Sequence, residues 1–442
     1  MHSKNGSVAQ LNRASDYGSE GYRFESCRSH KKSFEQNCLK DFSFKSILFC
    51  KELSYITAIL KAFHNLLKQM SINDTIYYNK LRTLATIAVI TIHASSTLFY
   101  HRPIGSESWW IATFFDTIAR FGVPIFLMIS GALLLPKKED MKSFYSKRLH
   151  RILIPFLLWL TIYYFHNLPV NISLSEKFYR LLNGICSGSS YHLWYIYMLV
   201  GIYLAIPAVR IWVQNISTQS IRIILLFWGI LLLLRLTNET GKLVKSLNIE
   251  FFYYLGYPIA GYYLSILKFH KPHQTIRRFS IAAIIIGILL TLSGTYILSL
   301  YKGKTDELFF NCLSPTVALM SSGIFLLFKH IEFKKEKVLG KWICTYSYGI
   351  YLCHVYVLEQ LKSVYWIKYT YYIHPAIGIP ALVISCLLLS LLLTMTIQKI
   401  PRKIYFGIKQ KRPDKPDLLF NLKKGVKDGA RTHDPWNHNP ML

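Results

Sequence analysis

The chain is predicted to be an all-α membrane protein, a polytopic bundle of about ten transmembrane helices with both termini in the cytoplasm. Three observations predict it. Apolar runs of about twenty residues recur along the chain, the length a bilayer-crossing helix needs. Hydrophobic residues make up 52% of the 442, and mean hydropathy is +0.26. A soluble chain would interrupt such content with periodic polar faces. Finally, basic residues gather in alternate loops, the pattern that sets membrane orientation.

The ten apolar segments lie at residues 79–100, 109–135, 152–170, 191–209, 222–238, 251–267, 279–301, 309–329, 343–364 and 375–399. Four of the intervening loops carry Lys137, Lys138, Lys142, Lys147, Arg148 and Arg151, then Arg210 and Arg222, then Lys268, Lys271, Arg277 and Arg278, then Lys329, Lys334, Lys335, Lys337 and Lys341. These seventeen positive residues exceed the roughly ten on the five opposite loops, so the heavily basic side is assigned to the cytoplasm. An even number of spans puts both termini there. The formal charge of +29 does not point to nucleic acid, because the basic residues sit mainly in tails and short loops. The eight cysteines are scattered without zinc-ligand spacing, and no metal site is predicted.

The two ends differ from the middle. Residues 1–69 are expected to be a disordered or spurious extension, and 401–442 a cytoplasmic tail whose last part is spurious. The stretch AQLNRASDYGSEGYRFESCRSH resembles the conceptual translation of a tRNA gene, and GARTHDPWNHNPML resembles one read on the opposite strand. The membrane domain is therefore assigned to residues 70–400.

The first apolar segment contains KLRTLATIAVITIHASS, residues 80–96, with Arg82 at its start and His93 deep inside. Each costs at least a few kcal/mol in hydrocarbon. Eleven positions at about 100° per residue place the two about 20° apart, on one face, with about 16 Å between them along the axis. An arginine near the cytoplasmic interface suits a phosphate-bearing ligand, and a neutral mid-span histidine can take a proton from a hydroxyl. The competing reading is an arginine that snorkels to headgroups and a histidine bonded to a neighbouring helix.

In the second segment Arg120 follows Asp116 by four residues, a spacing that lets the two neutralise each other. Ser130 and Gly131 offer a small-residue surface for close helix packing. The third segment has a basic entry, KRLHRILIPFLLW at 147–159. The fourth opens with His192 and Trp194 at the outer interface, and the ninth holds Tyr351 and His354 one turn apart. Interfacial aromatic belts account for Trp194 and most tyrosines without any chemistry.

Together these segments resemble the acyltransferase-3 family of integral-membrane O-acyltransferases. The matching elements, in order, are the arginine and histidine of the first span, RFGVPIFLMISGALLL in the second, and KRLHRILIPFLLW in the third. HLWYIYMLVGIYLAIPAVR in the fourth and YSYGIYLCHVYVL in the ninth complete the set. One departure is Leu127, where a second aromatic is common. The resemblance covers about residues 75–400 and is closest to the stand-alone type that acetylates surface polysaccharides.

The resemblance implies transfer of an acyl group, usually acetyl from cytoplasmic acetyl-CoA as donor substrate, to a hydroxyl of a cell-envelope carbohydrate or its lipid-linked precursor. His93 and Arg82 would be the catalytic pair. Arg120, Lys147, Arg148 and Arg151 would bind the acyl donor, and His192, Trp194, Tyr351 and His354 the carbohydrate acceptor. The expected setting is the inner membrane, with the lipid bilayer and acyl-CoA as partners. The rival class is a transporter of a polysaccharide or small organic acid, which ten spans and a midplane histidine also suit. Spans one to five and six to ten, however, show no repeated Arg-x10-His segment and no second Ser-Gly stretch. A scaffold would not need Arg82 and His93 on one face.

Overall fold

The structure, a computed structural model, describes residues 76–169, 172–237, 250–270, 272–333, 336–363 and 374–399. The expected extensions at 1–69 and 401–442 lie outside the described residues. Every regular element among the described residues is helical. In chain order they are α1 (Ile76–His101), α2 (Glu107–Ala119), α3 (Gly122–Leu134), α4 (Met141–His166), α5 (Leu174–Ser187), α6 (Trp194–Gln214), α7 (Thr218–Leu234), α8 (Glu250–Tyr254), α9 (Gly256–Ile266), α10 (His273–Lys302), α11 (Pro315–His330), α12 (Val338–Ser363) and α13 (Pro375–Lys399). One-turn 3-10 segments, Tyr191–Leu193 and Leu308–Phe310, lead into α6 and precede α11.

Each of the ten predicted segments contains helix within the described residues. Six stretches among the described residues are long and apolar enough to cross a membrane: Ile76–His101, Glu107–Leu134, Tyr191–Gln214, His273–Lys302, Leu308–His330 and Pro375–Lys399. α7, with seventeen residues, is apolar but shorter. The chain is a multi-pass membrane protein.

Side-chain distribution in α10 follows from a hydrocarbon surround. Its buried positions are Ile276, Ser280, Gly287, Thr291, Thr295 and Ser299, mostly small or hydroxylated. Its exposed positions include Ile281, Ile285, Ile286, Leu289, Leu290 and Ile297. Lipid is as apolar as leucine, so helix association there rests on close approach and interhelical hydrogen bonds. Thr291 accordingly donates to Thr316 of α11 at 2.7 Å, and Gly287 and Gly323 admit the facing backbone.

Two predicted spans are interrupted, each for the same local reason. A proline ring collides with the carbonyl four residues earlier and cannot donate to it. Pro124 thus separates α2 from α3 at Arg120 and Phe121, and Pro258 separates α8 from α9 at Leu255. Both sit in a Gly-x-Pro triplet, Gly122-Val123-Pro124 and Gly256-Tyr257-Pro258. The inner halves of these broken spans then cross backbone to backbone. A side-chain carbon on Gly131 would collide with the Pro258 carbonyl, and one on Gly261 with that of Met128. The small-residue surface expected at Ser130 and Gly131 is this contact.

Helix directions alternate. Tyr145 of α4 reaches Leu204 of α6, while Tyr163 of α4 packs on His192 just before α6, so the two run antiparallel. By contrast α1 and α12 are parallel: Thr83 donates to the Gly340 carbonyl, and Lys362 donates to Thr97. α4 shares that direction, since Tyr348 of α12 donates to Ile152 and Tyr163 donates to Leu352.

Replacing Gly131 by valine is expected to cost about 1–3 kcal/mol or more, because backbone rather than a flexible side chain blocks the new atoms. Thermal unfolding of detergent-purified protein measures it; a variant as stable as the parent would contradict so close a crossing.

Candidate active site

Three histidines from three distant parts of the chain meet between α1, α12 and the start of α6. The His93 ring centre lies 5.1 Å from that of His354 and 6.4 Å from that of His192, and the last two are 5.2 Å apart. His354 and His192 are sealed at 0% and 1% exposure, whereas His93 is partly accessible. Its neighbour Tyr191, 5.3 Å from it, is 62% exposed. Tyr191, where the chain enters α6, is thus the most exposed side chain bordering the cluster.

Two of the three rings are held by hydrogen bonds to neighbours. The His354 Nδ1 lies 2.6 Å from the Tyr351 carbonyl oxygen, which can only accept. Nδ1 therefore carries the proton and Nε2 is left as the accepting atom. His192 Nδ1 exchanges a hydrogen bond with the Ser190 hydroxyl at 3.0 Å. The Tyr351 hydroxyl donates to the His192 carbonyl, tying α12 to the start of α6. Tyr163 donates to the Leu352 carbonyl at 2.9 Å and accepts from the Tyr356 N–H at 3.0 Å. This cross-brace fixes α4 against the helix that carries His354. The Nε2 atoms of both His192 and His354 are buried without a hydrogen-bond partner in the protein. Buried polar atoms are usually paired, so two such atoms in one cluster mark a place prepared for another polar group. Among the described residues no group of three His, Cys, Asp or Glu is arranged to hold a metal ion.

Arg82 lies on the same face of α1 as His93, and both meet α12. Its Nη1 approaches Cys344 Sγ at 3.9 Å, ten residues before His354, and its exposure is 6%. The Arg82 side chain is enclosed by protein, and the His93 ring packs on Tyr191, His192 and His354. The separation along α1 remains about 16 Å.

The other expected residues divide. Tyr351 belongs to the cluster. Trp194 is exposed and packs on Tyr254 and Tyr195 instead. Arg120 is paired within its own helix, Nε to Asp116 Oδ1 at 2.5 Å, and its Nη1 donates to the Phe310 carbonyl at 3.1 Å above that residue's ring. Arg148 is buried against Phe144 and bound to Glu139 at 2.7 Å. Lys147 is exposed and reaches the same carboxylate at 3.1 Å, and Arg151 is exposed. Arg210, assigned to a loop by sequence, lies inside α6, where it stacks on Phe144 and donates to the Glu139 carbonyl at 3.0 Å. Sequence reasoning missed Tyr163, Tyr191 and Ser190 around the histidines, and Glu139 and Phe144 in the basic cluster. The belt explanation for interfacial tyrosines had absorbed the first two.

Burial alone would raise the Glu139 carboxyl, but hydrogen bonds and charge from Lys147 and Arg148 hold it below the ordinary carboxylate value. Its stabilisation is complete above the unperturbed value of about 4.3 and is lost as pH falls through the lower folded one. Glu139→Gln should destabilise the protein by about 1–3 kcal/mol at neutral pH, since Arg148 then loses its charged partner. It should also remove part of the acid sensitivity. Melting temperatures of both proteins across acidic and neutral pH check this; parallel profiles would exclude the ion pair as a contributor.

Residues 76–395 match the acyltransferase-3 family model, described as an acyltransferase domain. No curated protein and no solved structure matches the chain.

Proposed function

The chain belongs to the acyltransferase-3 family and is a membrane-bound acyltransferase, and on that premise we propose that acyl transfer takes place at the His93–His192–His354 cluster. The family supports acyl transfer to carbohydrates in general. The finer reading is that acetyl-CoA enters from the cytoplasm and the acceptor is a hydroxyl of a cell-envelope carbohydrate or its lipid-linked precursor, in the inner membrane.

The observation that carries this reading is the convergence of three imidazoles beside an accessible edge. His93, the accessible one, takes the proton of the acceptor hydroxyl as its oxygen attacks the thioester carbonyl. The carbon–sulfur bond breaks, and the departing thiolate receives that proton from His93. An acyl-histidine formed by direct attack of His93, followed by transfer to the hydroxyl, uses the same geometry. His354, whose protonated Nδ1 is held by the Tyr351 carbonyl, presents its accepting Nε2 to the cluster and positions His93 and the acceptor.

Helix register supports a donor site below the histidines. Arg82 lies beside Cys344, and the turn of α4 holding Lys147 and Arg151 lies just before Ile152, which meets Tyr348. These cations therefore sit near one level of the bundle, one site length below the histidines, where the phosphates of CoA would rest while its pantetheine arm reaches up. Arg148 is already engaged by Glu139 and shapes this end rather than contacting the donor. Arg120 likewise braces the Pro124 break against Phe310.

The number of spans has its own support. Parallel α1 and α12 require an odd number of crossings between them. Ten spans put seven there, whereas the six most apolar stretches alone would put four. A ten-span arrangement meets that requirement, whichever side the termini occupy.

His93→Ala should lower transfer of labelled acetyl from acetyl-CoA at least about 100-fold, the lower range for a lost general base. Membrane insertion and melting temperature should change little. Near-normal transfer by this variant would remove His93 from the chemistry.

A further inference from the structure

The surface of α5 (Leu174–Ser187) divides into three distinct faces. At about 100° per residue, Leu174, Phe178, Leu181, Leu182 and Ile185 fall within one arc of about 100°. Glu176, Arg180 and Asn183 fall on the opposite side. Lys177 and Gly184, at one edge between the two, are the more sheltered positions, and Leu181 borders that edge. The apolar face itself is bare: Leu174 is 83% exposed and Phe178 61%, with Leu182 and Ile185 also exposed. A soluble surface helix would turn that face to the core, and α5 turns an edge there instead.

We infer that α5 is an interfacial helix, lying along the surface of the bilayer with Leu174, Phe178, Leu182 and Ile185 in the headgroup–acyl boundary. The protein meets its sheltered edge, lipid its apolar face and water its polar face, the three-way setting of a helix lying flat beside a membrane bundle. Three observations commit the apolar face to lipid rather than to another protein. Only six residues separate Leu174 from Asn167, which caps α4, so the helix cannot leave the membrane surface. Its two halves are tied to two different membrane helices, the Lys177 carbonyl by the Tyr164 hydroxyl at 2.8 Å and the Ile185 carbonyl by that of Tyr197 at 2.6 Å. On the same helices and the α6 entry, Leu157, Phe165 and Trp194 likewise leave large apolar side chains bare.

The position matters because α5 is coupled to the histidines over a few residues. Asn167 donates to the Ser189 carbonyl at 2.9 Å, and the Ser189 hydroxyl donates to Leu160 at 2.7 Å. The next residues are Ser190, Tyr191 and His192. Lipid contact along α5 thus holds the loop that presents Tyr191 beside His93. The inference needs only that α4 and α6 cross the membrane, and it stands apart from the acyl-transfer reading.

Nitroxide labels at Phe178→Cys, Ile185→Cys, Arg180→Cys and Asn183→Cys, placed singly after replacing any other reactive cysteines, test it in phosphatidylethanolamine–phosphatidylglycerol vesicles. The first two labels should collide preferentially with oxygen and be shielded from a water-soluble nickel chelate, and the last two should show the reverse. Nickel access at Phe178 and Ile185 would overturn the inference by placing that face in water. Protection of those two sites from both reagents would overturn it by placing the face against protein, a second copy included.

Discussion

Everything at the centre of this protein depends on the parallel pairing of α1 with α12. Each helix carries groups that hydrocarbon penalises by a few kcal/mol, and the penalty is avoided when those groups face one another. One register does this along the whole length. Thr83 meets Gly340, Arg82 meets Cys344, His93 meets His354, and Thr97 meets Lys362. A slip of a turn would separate all four pairs at once. α4 reinforces that register through Tyr163 and Ile152, and the turn before α6 closes it with His192.

The periphery follows the opposite rule. Where a helix faces only a neighbour and lipid, as α10 faces α11, the contacts use glycine, serine and threonine, and the bulky residues point outward. Rigidity there has a use. The Pro124 and Pro258 breaks leave carbonyls without helical donors inside the membrane, which is tolerated where neighbouring protein covers them. Arg120, held by Asp116 and Phe310, sits at the first of these breaks.

Much of this was legible from spacing. The eleven-residue interval placed Arg82 and His93 on one face, and apolar length marked the helices because the bilayer imposes that length. His192 and His354 stood out as ionisable groups where such groups are costly. What spacing could not convey was partnership across hundreds of residues. Glu139 reads as an ordinary loop acid until Arg148 and Arg210 close on it, and Tyr163 and Tyr191 read as belt tyrosines until they meet His192 and His93. Trp194 shows the reverse: two positions after His192, its side chain leaves the cluster for Tyr254. The helix breaks were available in the Gly-x-Pro triplets, a local signal that overall hydropathy conceals.

The central claim is that His93 and His354 act as one unit. A double-mutant cycle on transfer from labelled acetyl-CoA, using His93→Ala, His354→Ala and both together, tests that most directly. The account predicts that the double variant is no slower than the worse single variant, because either change disables the same unit. Losses that multiply would show two independent contributions, and would contradict a shared site built on the α1–α12 register.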